Sequence, residues 1–252
     1  MASLEGHRAI VTGSSRNLGA EIANHLALAG ALVSVNYHHS REQAEEVVAA
    51  LRDVSSGRHV AVQGDVADPG EVERIVSESA GSLGGVIDIL VNNAGPYDAT
   101  PFLDLEVKDF DRVWNVNTKS TYLMMRAVAP AMRRQEWGRV VNISASSAFV
   151  RNRSIYTLAN AAIITLTEAM AMELGPEVTV NAIAPGQISE SLEELKDHIP
   201  EWADQVVKAT PRGLLATRKE IADLVVLLCG PVFASVTGIT IPIDGGLHLN
   251  TF

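Results

Sequence analysis

Short apolar runs alternate along this chain with segments in which apolar residues recur every three or four positions. Arg8–Val11, Leu32–Asn36, His59–Gln63, Ile87–Asn92, Val140–Ser144, Thr179–Ile183 and Ile239–Ile243 read as strands. Between them, Glu21–Ala29, Arg41–Leu51, Pro69 to about Ser79, Asp109 to about Met132 and Tyr156–Leu174 read as helices. Strands separated by amphipathic helices predict βαβ units with right-handed crossovers. The expected class is α/β: one domain with a doubly wound parallel sheet of about seven strands and helices on both faces.

Two segments break this rhythm. The helix Tyr156–Leu174 has almost no charged face, carrying only Glu168 and Glu173. A helix apolar all round has to be covered, by the fold or by another subunit. This predicts a homodimer or homotetramer. The segment Ser189–Arg212 is acidic, with Glu190, Glu193, Glu194, Asp197, Glu201 and Asp204 against Lys196, Lys208 and Arg212. It follows a strand end, where a lid over a substrate site would sit, so a lid is expected at about 189–212.

Composition narrows the function classes. The chain has 252 residues, 47% of them apolar, enough for one sizeable core. A net charge of −10 argues against sequence-independent nucleic-acid binding, which needs a basic face. The single cysteine, Cys229, forms no internal disulfide and fits a reducing, cytoplasmic compartment. No signal-peptide pattern opens the chain, and no stretch reaches the roughly 18 uncharged apolar residues of a membrane span. No metal-ligand cluster stands out.

The first strand runs into Thr12-Gly13-Ser14-Ser15-Arg16-Asn17-Leu18-Gly19, and a helix follows. Glycines at this junction let backbone approach a pyrophosphate at the positive helix N-terminus. With Asp65-Val66 after the third strand, Asn92-Asn93-Ala94-Gly95 after the fourth, Asn117 in Asn115-Val116-Asn117, Tyr156, Pro185-Gly186-Gln187-Ile188 and Asp244-Gly245-Gly246, the order of motifs resembles the short-chain dehydrogenase/reductase family over nearly the whole chain. That resemblance implies a Rossmann-type fold and a nicotinamide cofactor held by Gly13, Ser15, Arg16, Asn17, Leu18, Gly19, Asn36, Tyr37, Asp65, Val66, Asn93, Ala94, Gly95, Asn160, Pro185, Gly186 and Ile188.

Asn17 replaces the middle glycine of the family pattern, and Asn is among the residues that best tolerate positive φ. The second strand ends without the acid that would bind a ribose 2′-hydroxyl and repel a 2′-phosphate. With Arg16 in the turn, and Arg41 as a further candidate, this favours NADP(H) over NAD(H).

The family's catalytic set implies Tyr156 as proton donor and Asn117 as its supporting asparagine. The lysine that lowers the tyrosine pKa belongs four residues after Tyr156, and that position is Asn160. The serine position falls on Ala145, flanked by Ser144 and Ser146, either of which can serve. Without the ammonium, a tyrosine near its ordinary pKa of about 10 is a ready acid, while only about one molecule in a thousand is a base at pH 7. The substitution therefore hurts oxidation more than reduction. Arg151, Arg153 and Lys119 are candidates to restore a cation, and Arg133, Arg134 and Arg139 a candidate patch for an acidic carrier protein. The reading is an NADP(H)-dependent reductase of a ketone or aldehyde. Its rivals are a non-redox lyase or cyclase in the same pocket and a cofactor-binding protein with impaired turnover.

Overall fold

The computed structural model describes residues 3–150, 153–195 and 200–249. Strands β1 (Arg8–Val11), β2 (Leu32–Tyr37), β3 (Val60–Gln63), β4 (Ile89–Asn92), β5 (Gly138–Ile143), β6 (Val178–Pro185) and β7 (Thr240–Ile243) form one sheet in the order β3-β2-β1-β4-β5-β6-β7. Every neighbouring pair is parallel. Helices α1 (Asn17–Leu28), α2 (Arg41–Val54), α3 (Pro69–Leu83), α4 (Val107–Trp114), α5 (Ser120–Arg134), α6 (Ile155–Leu174), α7 (Ser189–Leu195), α8 (Pro200–Ala209) and α9 (Arg218–Cys229) fill the connections.

The strands are apolar almost throughout because both sheet faces are covered. Alternate residues point to opposite layers. Ile10, Leu90, Val140 and Val180 join Ile75, Met124 and Met125 on one side. Ala9, Val11, Val33, Val35, Ile89, Val91, Val141 and Ile183 join Ile22, Leu26, Ile221 and Val225 on the other. Each fully buried Ile or Leu contributes about 1.5–3 kcal/mol, so a one-residue slip of any central strand would be heavily opposed. The winding direction reverses between β1 and β4. In such sheets the ligand crevice opens at that point, beyond the carboxyl ends of the strands.

Three expectations change. The helix expected over Asp109–Met132 is α4, then a π-helical segment Asn115–Lys119, then α5. A π segment adds a single residue to one turn, a change too local for the periodicity of a long helix to locate. Helix α9 was not among the expected helices; it starts at a capping box between Thr217 and Glu220. Helix α6 is covered on one side only. Ile155, Ala159, Ile163 and Thr167 are buried, whereas Leu158 is 44% and Met172 81% exposed. By length and composition α6 could cross a membrane, yet it packs on β6, α4 and α5 as part of the helical layer.

Candidate active site

The glycine turn after β1 is built from close contacts. A Cβ added at Gly19 would lie 2.5 Å from the Gly13 carbonyl oxygen and 2.7 Å from Asn93 Nδ2. Asn93 Nδ2 donates to the carbonyls of Thr12 (3.0 Å) and Gly13 (3.2 Å), while the backbone amides of Asn93 and Ala94 donate to Thr12 Oγ1. The turn and the β4 loop thus form one unit. Asn17 has φ 51° and begins α1. The left-handed conformation expected of the missing glycine is therefore adopted by asparagine.

Helices α3, α6 and α9 have side-chain caps from Asp68, Ser154 and Thr217, whereas α1, like α2 and α4, has none. Its first amides are left for another acceptor, and a helix N-terminus behind a glycine turn suits a phosphate. Arg16 is exposed beside it and Ser15 is buried. These features fit a dinucleotide phosphate.

Several expected cofactor contacts have other occupations. Asn36 is buried, and its side chain accepts from the Gly13 amide (3.3 Å) and donates to the carbonyls of Val62 (3.3 Å) and Gly64 (3.2 Å). It is a strut between β2, β3 and the turn. Tyr37 and Val66 are buried in the two core layers. Asp65 Oδ1 accepts from the Ala67 amide at 2.8 Å, closing a local turn. Arg41 is bound to Glu45 at 2.8 Å.

A cavity of about 650 Å³ lies beyond the carboxyl ends of the later strands. Tyr97, Ala145, Ser146, Ser147, Ser154, Tyr156, Pro185, Gly186, Gln187 and His248 are in its wall, and α8 adds Gln205, Val206 and Ala209. Ser154 caps α6, accepting from the Thr157 amide at 3.3 Å, which fixes the helix start that carries Tyr156. The Tyr97 ring meets the Tyr156 ring edge-on, with centroids 4.9 Å apart. Burial, reinforced by Tyr97, pushes the Tyr156 hydroxyl up to about 12, and the Asn160 side chain opposes this.

Of the residues expected in catalysis, Tyr156 and Ser146 line the cavity; Ser144, Asn117 and Asn160 are absent from its wall. Ser144 Oγ is turned inward and donates to the Asn160 carbonyl at 2.9 Å. The 3₁₀ turn Ser146–Phe149 instead brings Ser146 to the cavity, and the Ser147 hydroxyl there is buried without a protein partner. Asn117 Nδ2 donates to the carbonyls of Val113 (3.0 Å) and Pro96 (3.1 Å), tying the π segment to the β4 loop. Its side chain also abuts Gly95, where any Cβ would collide with it. Asn160 is buried, with Nδ2 donating to the Tyr156 carbonyl at 2.9 Å. Neither Lys119 nor Arg153 is in the cavity wall, and Arg153 is exposed. Arg151 lies outside the described residues.

Three residues of this site escaped the sequence reading, Tyr97, Gln205 and His248, and Asp244 entered it only as part of the Asp244-Gly245-Gly246 motif. Asp244 is buried and receives His248 Nδ1 at 2.9 Å, together with the backbone amides of Gly246 and His248. The i, i+4 spacing of Asp244 and His248 was the available signal. Arg139, expected on a basic surface patch, is instead buried, with its guanidinium 4.5 Å from the Trp137 ring centroid.

The segment expected as a lid contains α7 and α8, and its residues 196–199, Lys196 and Asp197 among them, lie outside the described residues. Glu190 accepts from the Arg218 amide at 3.1 Å, and Glu194 pairs with the Arg218 guanidinium at 2.6 Å, so α7 is fastened to the start of α9.

Comparison with known proteins gives a consistent picture. The family described as Enoyl-(Acyl carrier protein) reductase matches residues 13–248. The chain is 34% identical to the L-rhamnose 1-dehydrogenase (NAD(P)(+)) of Sphingomonas sp., over 99% of each chain. It is 34% identical to the 3-oxoacyl-[acyl-carrier-protein] reductase of Synechocystis sp., over 98% of this chain and 99% of the other. Among solved structures, a gluconate 5-dehydrogenase from Burkholderia cenocepacia in complex with NADP and tartrate superposes with a TM-score of 0.90 at 29% identity, covering 99% of this chain and 98% of the other.

Proposed function

The chain belongs to the short-chain dehydrogenase/reductase family of oxidoreductases, and from that premise we propose that it is an NADP(H)-dependent reductase of a ketone or aldehyde with Tyr156 as proton donor. The observation carrying this reading is the Tyr156 hydroxyl, held protonated at about 12 in a cavity it shares with Ser146. A phenol in that state is available as an acid across the neutral range. When bound, the nicotinamide supplies the hydride. Gly13, Gly19 and the uncapped start of α1 would hold its phosphates, and Pro185 and Gly186 would bring the nicotinamide to the cavity.

Ser146 is the side chain that polarises the substrate carbonyl in this reading, and the Ser147 hydroxyl is a second available donor. Tyr156 then gives its proton to the carbonyl oxygen. Asn160 supports the start of α6 through the Tyr156 carbonyl but contributes no charge.

The preference for NADP(H) rests on Arg16, which is exposed next to the α1 N-terminus, and on a second strand ending Asn36-Tyr37 without an acid. Its relatives include an NAD(P)(+) enzyme, a structure holding NADP and one complexed with NADH, so the preference rests on these residues alone. The uncovered side of α6, with Leu158 and Met172 exposed, favours a dimer or tetramer built on this helix.

The test is titration of the protein with NADPH and NADH, followed by a panel of ketones and aldehydes monitored by NADPH absorbance. Tighter NADPH binding and carbonyl-dependent oxidation of NADPH are expected. Equal affinity for the two cofactors would remove the NADP(H) assignment. The uncharged Asn160 favours one rival, a non-redox elimination or cyclisation with Tyr156 as acid–base. Substrate conversion without net change in NADPH would favour that rival.

A further inference from the structure

Among the described residues lining the cavity, Tyr97, Tyr156 and His248 are the titratable groups; the wall has no carboxylate, Lys or Arg. This creates a proton-transfer problem for the reductase reading. With its hydroxyl at about 12, Tyr156 is ionised in only about one molecule in 10⁵ at pH 7. Tyr156 alone is therefore a poor base, and once it has given up its proton it needs a source for the next one.

His248 lines the same cavity as Tyr156. The Asp244 carboxylate is a pure acceptor and lies 2.9 Å from Nδ1, so Nδ1 carries hydrogen. That fixes the tautomer and leaves Nε2 as the exchangeable position. Asp244 is itself buried and held by the amides of Gly246 (3.0 Å) and His248 (2.9 Å). Phe149 packs on the imidazole with centroids 5.4 Å apart, in the same 3₁₀ turn that carries Ser146. The ring is anchored on two sides and its side chain remains 21% exposed. Among the described residues the charged group in contact with the ring is Asp244, and Arg212 joins the adjoining Gly245 through its backbone amide, which donates to the Gly245 carbonyl at 3.0 Å. The 3₁₀ turn Ser146–Phe149 brings no ionisable side chain.

We propose that His248, oriented by Asp244, is a second acid–base residue of this site that exchanges the reaction's proton with Tyr156. In reduction, the carbonyl carbon takes a hydride from the reduced nicotinamide and the carbonyl oxygen takes the Tyr156 proton. The imidazolium Nε2–H then restores the phenol, directly or through one water, and the neutral imidazole regains a proton from solvent. In oxidation, the substrate O–H bond breaks as Tyr156 takes that proton and passes its own to neutral Nε2, while the hydride leaves the carbinol carbon for the oxidised nicotinamide. No free phenolate accumulates in either direction. This inference rests on the tyrosine-dependent redox reading above.

The unmodified protein provides the first test. Its pH–rate profiles should show a limb, with oxidation rising and reduction falling as pH increases; profiles that do not change with pH overturn the proposal. H248Q should lower kcat about 100-fold at pH 7, shift the oxidative limb to alkaline pH, and leave NADPH affinity unchanged by calorimetry. Added imidazole should restore part of the loss in His248→Ala. An unshifted limb in H248Q, or no rescue of a folded His248→Ala protein, would reduce the ring to a packing role. The two readings fail separately. Turnover surviving in Y156F sinks the tyrosine mechanism itself, whereas inactive Y156F beside fully active H248Q sinks the histidine alone.

Discussion

Two asparagines mark the difference between the two halves of this site. By the motif reading of the sequence, Asn17 in the turn after β1 and Asn160 on α6 both stand where the family pattern has another residue. At Asn17 the missing glycine poses a backbone problem, and it is solved locally: the residue adopts φ 51°, α1 begins on schedule, and Gly13 and Gly19 keep their tight contacts. At Asn160 the missing lysine poses a charge problem. The amide is buried and hydrogen-bonded to the Tyr156 carbonyl, so packing is satisfied, but the Tyr156 hydroxyl is still pushed up to about 12. A departure in geometry can be absorbed by the residue that makes it. A departure in charge persists unless another charge arrives, and no Lys or Arg lines this cavity among the described residues.

The strongest way to break the comparison is at Tyr156. Y156F keeps the ring and its edge contact with Tyr97 but removes the proton. Turnover should fall by about 10²–10⁴ in both directions with the fold intact by circular dichroism. Retained turnover would mean that the charge state of this phenol is irrelevant and that the contrast between the asparagines has no catalytic meaning.

A smaller effect is expected from restoring the charge. In N160K an ammonium beside Tyr156 favours the phenolate, so the Tyr156 pKa should fall by about 1–3 units from its present high position. Ultraviolet titration of the phenolate reads this directly. The sign follows from the charge: the cation stabilises the anion, ionisation moves to lower pH, and oxidation gains more than reduction, which already has its neutral phenol. An unmoved titration would show that the buried lysine is itself neutral or that another cation already acts there.

On the cofactor side, R16A should weaken NADPH binding by about 1–2 kcal/mol, roughly tenfold, while changing NADH binding little. Arg16 is exposed, so its hydrogen bonds belong at the lower end of the range for charged groups. Equal losses for both cofactors would place Arg16 on a shared phosphate instead of the one that distinguishes them.

The same division explains what could be read from the sequence. The sheet was legible because strand periodicity and both-face burial leave a direct apolar signature. The π segment at Asn115–Lys119 was not, since five residues are too few for a change of helical period to stand out in the sequence. Asn36, Asn117 and Ser144 have the residue types of ligands, but their polar atoms serve neighbouring backbone. Residue type shows that a hydrogen bond must be made and not with which partner. Tyr97, Gln205 and His248 reach the cavity from loops or helices far apart in sequence, so only tertiary structure brings them together.

The smallest expected effect tests the comparison at its quieter end. N17G relieves the cost of a side chain in the left-handed region, which favours the folded state. It also frees the unfolded chain, which opposes folding by about 0.4–1 kcal/mol. These terms are similar in size, so the melting temperature should stay within about 2–4 °C of the unmodified protein. N17A separates them: alanine keeps a Cβ at φ 51° without asparagine's local hydrogen bonding, and should destabilise by about 1 kcal/mol. Thermal unfolding of the two variants, with NADPH affinity measured on both, decides the matter. If N17G is neutral and binds NADPH as before, Asn17 replaces glycine through its backbone alone. If N17G changes NADPH affinity by more than about threefold while its stability holds, the exposed Asn17 side chain meets the cofactor, and the departure at this turn has altered binding as well as shape.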